Sequence, residues 1–295
     1  MLLLFSGSLL LYQQGTQKIR RELVRSVENT GTYTSSVLKK EFNRLQSLQT
    51  ILNNNWDINK LSLFSDQYNT YALSEAMSNI KDKLWAVQSG SQFIESIDVY
   101  IPDIDANITP YSTGNAVQGL RDVYKNLDLQ KKNELFLMDG KLTYITESPY
   151  TSKMEPEKPA FYIRTCFSNL SISNFFLEQC AGSDTNMLLI CSGNHILVSE
   201  SSILKDTTLY SSLVSLPEKA ANKNAILEFS CDSQNYIAFC KQLYPADVYL
   251  IQYIPESSIQ KEMQPFYRII WVLLVFSLLH PSSFPFSCIS LFISP

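Results

Sequence analysis

Two histidines, His195 and His280, are all that this chain offers for acid–base work near neutral pH. His195 follows Gly193-Asn194 in a predicted hairpin, and His280 lies in an apolar C-terminal stretch. Nucleophilic catalysis needs a serine or cysteine with a histidine base and an orienting acid, and no glycine-flanked nucleophile elbow occurs. The neighbouring acids Asp103 with Asp105, and Glu155 with Glu157, stand beside prolines in predicted loops, where carboxylates are ordinarily solvated. The six cysteines form no CxxC pair and no cysteine–histidine cluster, which argues against structural zinc. They read as buried thiols, with one or two disulfides left open among the five that precede Cys288. Glycine-rich phosphate loops are missing as well. The expectation is a chain without cofactor and without enzymatic activity of its own.

The residue types that remain are those of a binding site. Trp85, Tyr100, Tyr111, Arg121, Tyr124, Tyr144, Tyr162 and Arg164 fall on or near the strands and helix that would enclose an apolar-lined pocket with a few fixed polar groups. Arg121 or Arg164 can pair bidentately with a carboxylate, and the aromatic rings can hold a sugar or an amine. A net charge of -4 with scattered lysines and arginines leaves no electrostatic footprint for nucleic acid.

Those residues must be held by surrounding elements. Gln17 to Asn53 contains no proline and one glycine, Gly31. Its apolar residues, from Ile19 through Val27, Leu38, Phe42 and Leu45 to Leu52, recur at helical spacing, so one long helix is predicted, with a break near Gly31 as the competing reading. Asp57 is expected to cap a second helix ending near Ser89-Gly90. The period then changes to two. Ile97, Val99 and Ile101 alternate with Ser96, Asp98 and Tyr100 in a strand over 94–101. A short helix over 117–126, a hairpin of 135–138 with 142–147 through Asp139-Gly140, and a strand over 160–167 complete the first unit.

A second pass begins at Leu170 with a helix, strands 187–191 and 196–200, a helix over about 202–216, and strands 226–231, 236–241 and 247–254. The order of elements repeats without sequence identity, and the hairpins place the chain in the α+β class. With 45% hydrophobic residues over 295 positions there is enough apolar material for a sizeable core.

Both ends are apolar. Met1–Tyr12 is shorter than a full bilayer span and reads as a truncated transmembrane segment, although Lys18, Arg20 and Arg21 just after it disagree with the positive-inside rule for an external domain. Ile269–Leu279 is uncharged and follows Tyr267-Arg268, as the start of a second span in contact with membrane lipid; the continuation to Pro295 carries three prolines and reads as an aberrant tail. The predicted division is 1–12 as the first membrane segment, 13–90 as helical stalk and second helix, 91–167 as a membrane-distal module, 168–256 as a membrane-proximal module, 257–268 as a connector and 269–295 as the second membrane segment with its tail.

This order, together with FIESIDVYIP at Phe93–Pro102 and LIQYIPESSI at Leu250–Ile259, resembles the double Cache extracellular sensor domains of bacterial transmembrane receptors, nearest in kind to YesM-type sensor histidine kinases. The resemblance implies two PAS-like modules between two transmembrane helices, a cytoplasmic HAMP segment and a histidine kinase core. Neither histidine stands in a phosphoacceptor setting, so the chain is read as the sensor region alone. The linear tyrosine, arginine and tryptophan signature of amino-acid-binding double Cache domains is not found in its expected order. The expected partner is therefore a sugar, amino acid, organic acid or amine, or a solute-binding protein. A homodimer paired along the apolar stripe of the long helix is implied too. The competing function is a membrane-tethered extracellular binding protein without signalling output.

Overall fold

The computed structural model describes residues 2–275 apart from 116–123, 125–134, 155, 192–194, 199–206, 221–224, 245–247 and scattered positions from 259 onward. Helix α1, Leu2–Asn53, runs unbroken for 52 residues, about 78 Å at 1.5 Å per residue. Val27, Gly31, Thr34, Leu38, Phe42, Leu45, Gln49 and Leu52, three or four apart, are all buried along one face. Gly31 does not break the helix; it lets the helix approach the second sheet, because a β-carbon there would lie under 3.0 Å from three atoms of the Phe239 ring. The stripe expected to pair two copies of the chain is thus consumed within one copy. This corrects the dimer geometry read from the sequence: the chain's own two sheets reach that face first.

The second predicted helix is two. Helix α2, Trp56–Phe64, is capped by Asn55, whose Oδ1 accepts from the amides of Asp57 and Ile58, so Asp57 sits inside the first turn and not at the cap. A short 3₁₀ turn separates it from α3, Thr70–Ser89, capped by Asn69 and closed at Gly90. Polar Ser65, Asp66, Gln67 and Asn69 interrupt the apolar spacing there.

The first sheet contains β1 (Ile94–Ile101), β2 (Ala106–Ile108), β3 (Thr113–Asn115), β4 (Leu135–Met138), β5 (Lys141–Glu147) and β6 (Tyr162–Phe167) in the order β3-β2-β1-β6-β5-β4. Asp139 and Gly140, both at positive φ, form the hairpin turn expected between β4 and β5. The brief β2 and β3 pairs carry too little apolar alternation to be seen beforehand. The helix expected over 117–126 lies outside the described residues, except that Tyr124 is helical.

Helix α4, Asn169–Cys180, capped by Ser168, leads to the second sheet. Here β7 (Asn186–Cys191), β8 (His195–Val198), β9 (Ala225–Cys231), β10 (Gln234–Tyr244) and β11 (Val248–Pro255) take the order β8-β7-β11-β10-β9, with α5 (Thr207–Val214) and α6 (Leu216–Ala220) in the crossover. All pairings are antiparallel. Discounting β3, both sheets place their strands in one spatial order: second, first, fifth, fourth, third. The repeat anticipated from element order is therefore a repeat of topology.

The main apolar cluster joins the two sheets: Phe42, Leu45 and Ile80 meet Ile97, Val99 and Phe167, then Phe175 and Phe176 of α4, then Leu189 and Leu250. None of the five described cysteines is joined in a disulfide, which removes the bridges left open by the sequence. Cys231 and Cys240 lie on adjacent strands, but Cys231 pairs with Gln234, six residues from Cys240, roughly 20 Å along the strand and far beyond disulfide reach. No helix among the described residues is long and apolar enough to cross a membrane.

Candidate functional site

Each sheet has one face against α1. In the first sheet that face carries Ile97, Val99, Ile101, Ile163, Phe167, Leu142 and Tyr144, all in the main core. Because side chains alternate along a strand, the opposite face is built from Asp98 and Tyr100 on β1, Tyr162, Arg164 and Cys166 on β6, Ile145 and Glu147 on β5, and Phe136 on β4. The register sets Asp98 directly across from Arg164, and Tyr100 across from Tyr162.

Arg164 Nε and Nη2 both donate to Asp98 Oδ2, at 2.9 and 2.7 Å, and Tyr124 Oη donates to Oδ1 at 3.2 Å. Asp98 is 2% exposed. Burial pushes its carboxyl up, more strongly than Arg164 and the Tyr124 hydroxyl pull it down. Burial works against the Arg164 charge as well, but the Asp98 carboxylate outweighs it and the guanidinium is held above its ordinary value. The pair is net neutral, with Asp98 buried and Arg164 partly exposed.

Beside this pair stand three nearly parallel tyrosine rings. Tyr124 stacks on Tyr162 at 4.6 Å and on Tyr100 at 5.1 Å, and the cross-strand neighbours Tyr100 and Tyr162 are 6.4 Å apart. Burial, then Glu147 and Tyr100, raise the Tyr162 phenol to about 12; burial and Asp98 raise that of Tyr124 well above its usual value. Tyr124 and Tyr162 therefore remain neutral hydrogen-bonding groups at working pH. Phe136, Ile145 and the edge of Met138 complete the apolar surround. Among the described residues, Arg164 Nη1 has no protein partner, and the side chain keeps 18% of its exposure. The site can thus offer donors from Arg164 beside an aromatic surface, with the Asp98–Arg164 pair neutral in itself and the Glu147 carboxylate on the same face.

Of the residues singled out in the sequence, Tyr100, Tyr124, Tyr162 and Arg164 come together here. Tyr144 is buried on the opposite face, beneath α1. Trp85 projects from the outer side of α3 and is 55% exposed, and Tyr111 lies in the β2–β3 loop at 71%. Arg121 falls outside the described residues. Asp98 is the partner that the sequence reading passed over. A carboxylate among strand residues reads as solvent-facing until a cation is placed across from it, and strand register decides that. Asp103, one of the loop acids, is taken up structurally: it accepts from the Ser152 hydroxyl and from the Lys153 amide, pinning the loop between β5 and β6.

The corresponding face of the second sheet is sealed. Leu188, Ile190, Ile251, Ala238 and Cys240 are covered by Leu209, Leu213, Leu216 and Ala220 of α5 and α6. Phe229, Tyr236 and Tyr253 pack at its margin.

No family model and no curated protein sequence matches the chain. Solved structures do match in fold. The periplasmic sensory domain of the Campylobacter jejuni chemoreceptor Tlp1 superposes with a TM-score of 0.58 at 9% identity, covering 82% of this chain and 98% of that one. The sensory domain of the Campylobacter jejuni chemoreceptor Tlp3 with isoleucine bound gives 0.51 at 11% identity, covering 83% and 97%. The extracellular domain of rpHK1S-Z16, described as a histidine kinase, gives 0.54 at 9% identity, covering 81% and 97%. The chain has the fold of the periplasmic and extracellular sensory domains of chemoreceptors and histidine kinases.

Proposed function

We propose that this chain is the extracytoplasmic sensing region of a membrane receptor, and that the polar, aromatic face of its first sheet binds a small zwitterion of the amino-acid class. The observation that carries this is the contrast between the two sheets. One holds a neutral Asp98–Arg164 pair beside three stacked tyrosines, whereas the other closes the same face with leucine and alanine. A buried ion pair is an expensive way to fill a core, because apolar residues of similar volume serve stability as well or better. An aromatic surface with a few fixed polar groups is what ligand pockets ordinarily present. Arg164 donors and the Glu147 carboxylate on one face suit a ligand that brings both charges. The chemoreceptor Tlp3 has been crystallised with isoleucine, valine and norvaline, which supports the same ligand class here.

In this reading residues 91–167 form the membrane-distal module and 168–256 the proximal one, with membrane segments at 1–12 and 269–295 and a connector at 257–268. Ligand acts through its different affinity for two states of the receptor, which pairs with a second copy through surfaces other than the buried stripe of α1.

The test is a thermal-shift and calorimetric titration of the full chain against L-isoleucine, L-valine, organic acids, amines and sugars. Binding to the native state alone raises apparent stability. The expected result is a shift with an amino acid that is lost in Arg164→Lys and kept in Tyr144→Phe, which lies on the other face. Silence across all five sets from a folded protein, or a response that survives Arg164→Lys, overturns the assignment.

A further inference from the structure

Behind the candidate site, on the α1 side of the same strands, lies a buried amide. Gln49 is 0% exposed, and its Nε2 donates to Thr165 Oγ1 at 2.9 Å and to the Tyr144 carbonyl at 3.5 Å. Its Oε1 is also buried and has no hydrogen-bond partner among the described residues. The neighbours of Gln49 along the buried stripe, Phe42, Leu45 and Leu52, are apolar, with Phe42 edge-on to Phe167 at 5.2 Å. A leucine or methionine at 49 would fill the same space without an unsatisfied oxygen, so stability alone gives no reason for an amide there.

Its two acceptors explain it better. Thr165 is the residue after Arg164, and Tyr144 the residue before Ile145. Arg164 and Ile145 point into the candidate site, directly across from each other in the β5–β6 pairing. A movement of either strand at the site must move these acceptors, since adjacent residues share a peptide unit. Apolar contacts are non-directional and tolerate sliding, whereas a hydrogen bond holds its geometry within a few tenths of an ångström. We propose that Gln49 is the positioning residue through which helix α1 follows displacement of the site-bearing strands β5 and β6. It converts a change on the front of the sheet into a change of the helix that continues toward the N-terminus. The inference rests on the sensing role proposed above, but it can be tested without any ligand.

The experiment is a double-mutant cycle read by hydrogen exchange on the full chain in lipid nanodiscs. Arg164→Lys disturbs β6 from the site side, because lysine cannot hold Asp98 with the two-nitrogen grip of arginine. If that variant fails to fold, Tyr162→Leu disturbs the same strand by removing one ring of the stack. With Gln49 present, either change should speed exchange of α1 amides between Leu45 and Asn53 by about tenfold. In Gln49→Met the same change should stay within β5 and β6 and leave α1 within about twofold. Thr165→Val, which removes the acceptor, should reproduce the Gln49→Met result. Gln49→Met alone should melt no lower than the parent, which separates positioning from a structural role. An α1 response of equal size in both backgrounds, or none in either, overturns the proposal. Failure of the cycle leaves amino-acid binding to be judged by titration, and failure of binding leaves the cycle interpretable.

Discussion

Asp98 and Arg164 meet across the β1–β6 pairing with both guanidinium contacts on one oxygen, Oδ2, leaving Oδ1 to the Tyr124 hydroxyl. Each member of this pair is costly without the other. Arg164→Ala should destabilise the chain by about 3–5 kcal/mol, since it strands a buried carboxylate, whereas the double change Asp98→Leu with Arg164→Met should come near the parent. Urea denaturation of the three proteins decides it; a double variant as weak as the single one would show that the pair itself contributes the stability.

Tyr124→Phe keeps the ring on Tyr100 and Tyr162 and removes only the donor to Asp98. A hydrogen bond to a charged, buried acceptor is worth about 1.5–3 kcal/mol. The expected outcome is a loss of that size in chemical denaturation, with the tyrosine circular-dichroism bands of the stack largely preserved.

Gly31 is where α1 passes closest to the second sheet, over Phe239. Gly31→Ala improves helix propensity but forces a methyl group into the ring, so it should cost about 1–3 kcal/mol. Phe239→Leu made alongside should recover part of that loss. A stabilised Gly31→Ala would mean that helix and ring separate freely.

Two carboxyls should leave opposite marks on stability against pH. Burial raises the Glu41 carboxyl, but hydrogen bonds from Arg44 and Ser91 outweigh this and hold it below the ordinary range. Its contribution is therefore present above the unfolded-state value and lost as pH falls through the lowered folded one. Asp98 is raised, so the folded state takes up its proton more readily than the unfolded chain does. Its contribution is present on the acid side and lost as pH rises through the folded value. In urea titrations from about pH 3 to pH 8, the advantage of the parent over Glu41→Gln should shrink on acidification, and its standing against Asp98→Asn should improve.

Among the described thiols, Cys180 is half-buried, whereas Cys166, Cys191, Cys231 and Cys240 are buried. Burial pushes Cys240 up to about 12, which leaves almost no thiolate. An aromatic disulfide reagent should modify Cys180 first and Cys240 only at the rate of unfolding. Rapid labelling of Cys240 in the native protein would contradict the packing of the second sheet.

Much of this molecule was legible in the residue order. The period of the apolar residues located α1, β1 and the β4–β5 hairpin, the Asp139-Gly140 turn included, because each is set by local geometry and one face to be buried. The repeat of elements foretold the two sheets. Sequence alone could not decide what covered each face. It assigned the stripe of α1 to a second copy of the chain, and the tertiary fold spends it on Phe239 and Phe167. It set Tyr144 in the site with Tyr162, and the strand pairing turned them to opposite faces. It put Asp98 on the strand face opposite Ile97 and Val99 without a partner, and β6 brought Arg164 across from it. Which groups meet across a sheet depends on register between segments some 66 residues apart, and only the closed fold sets that register.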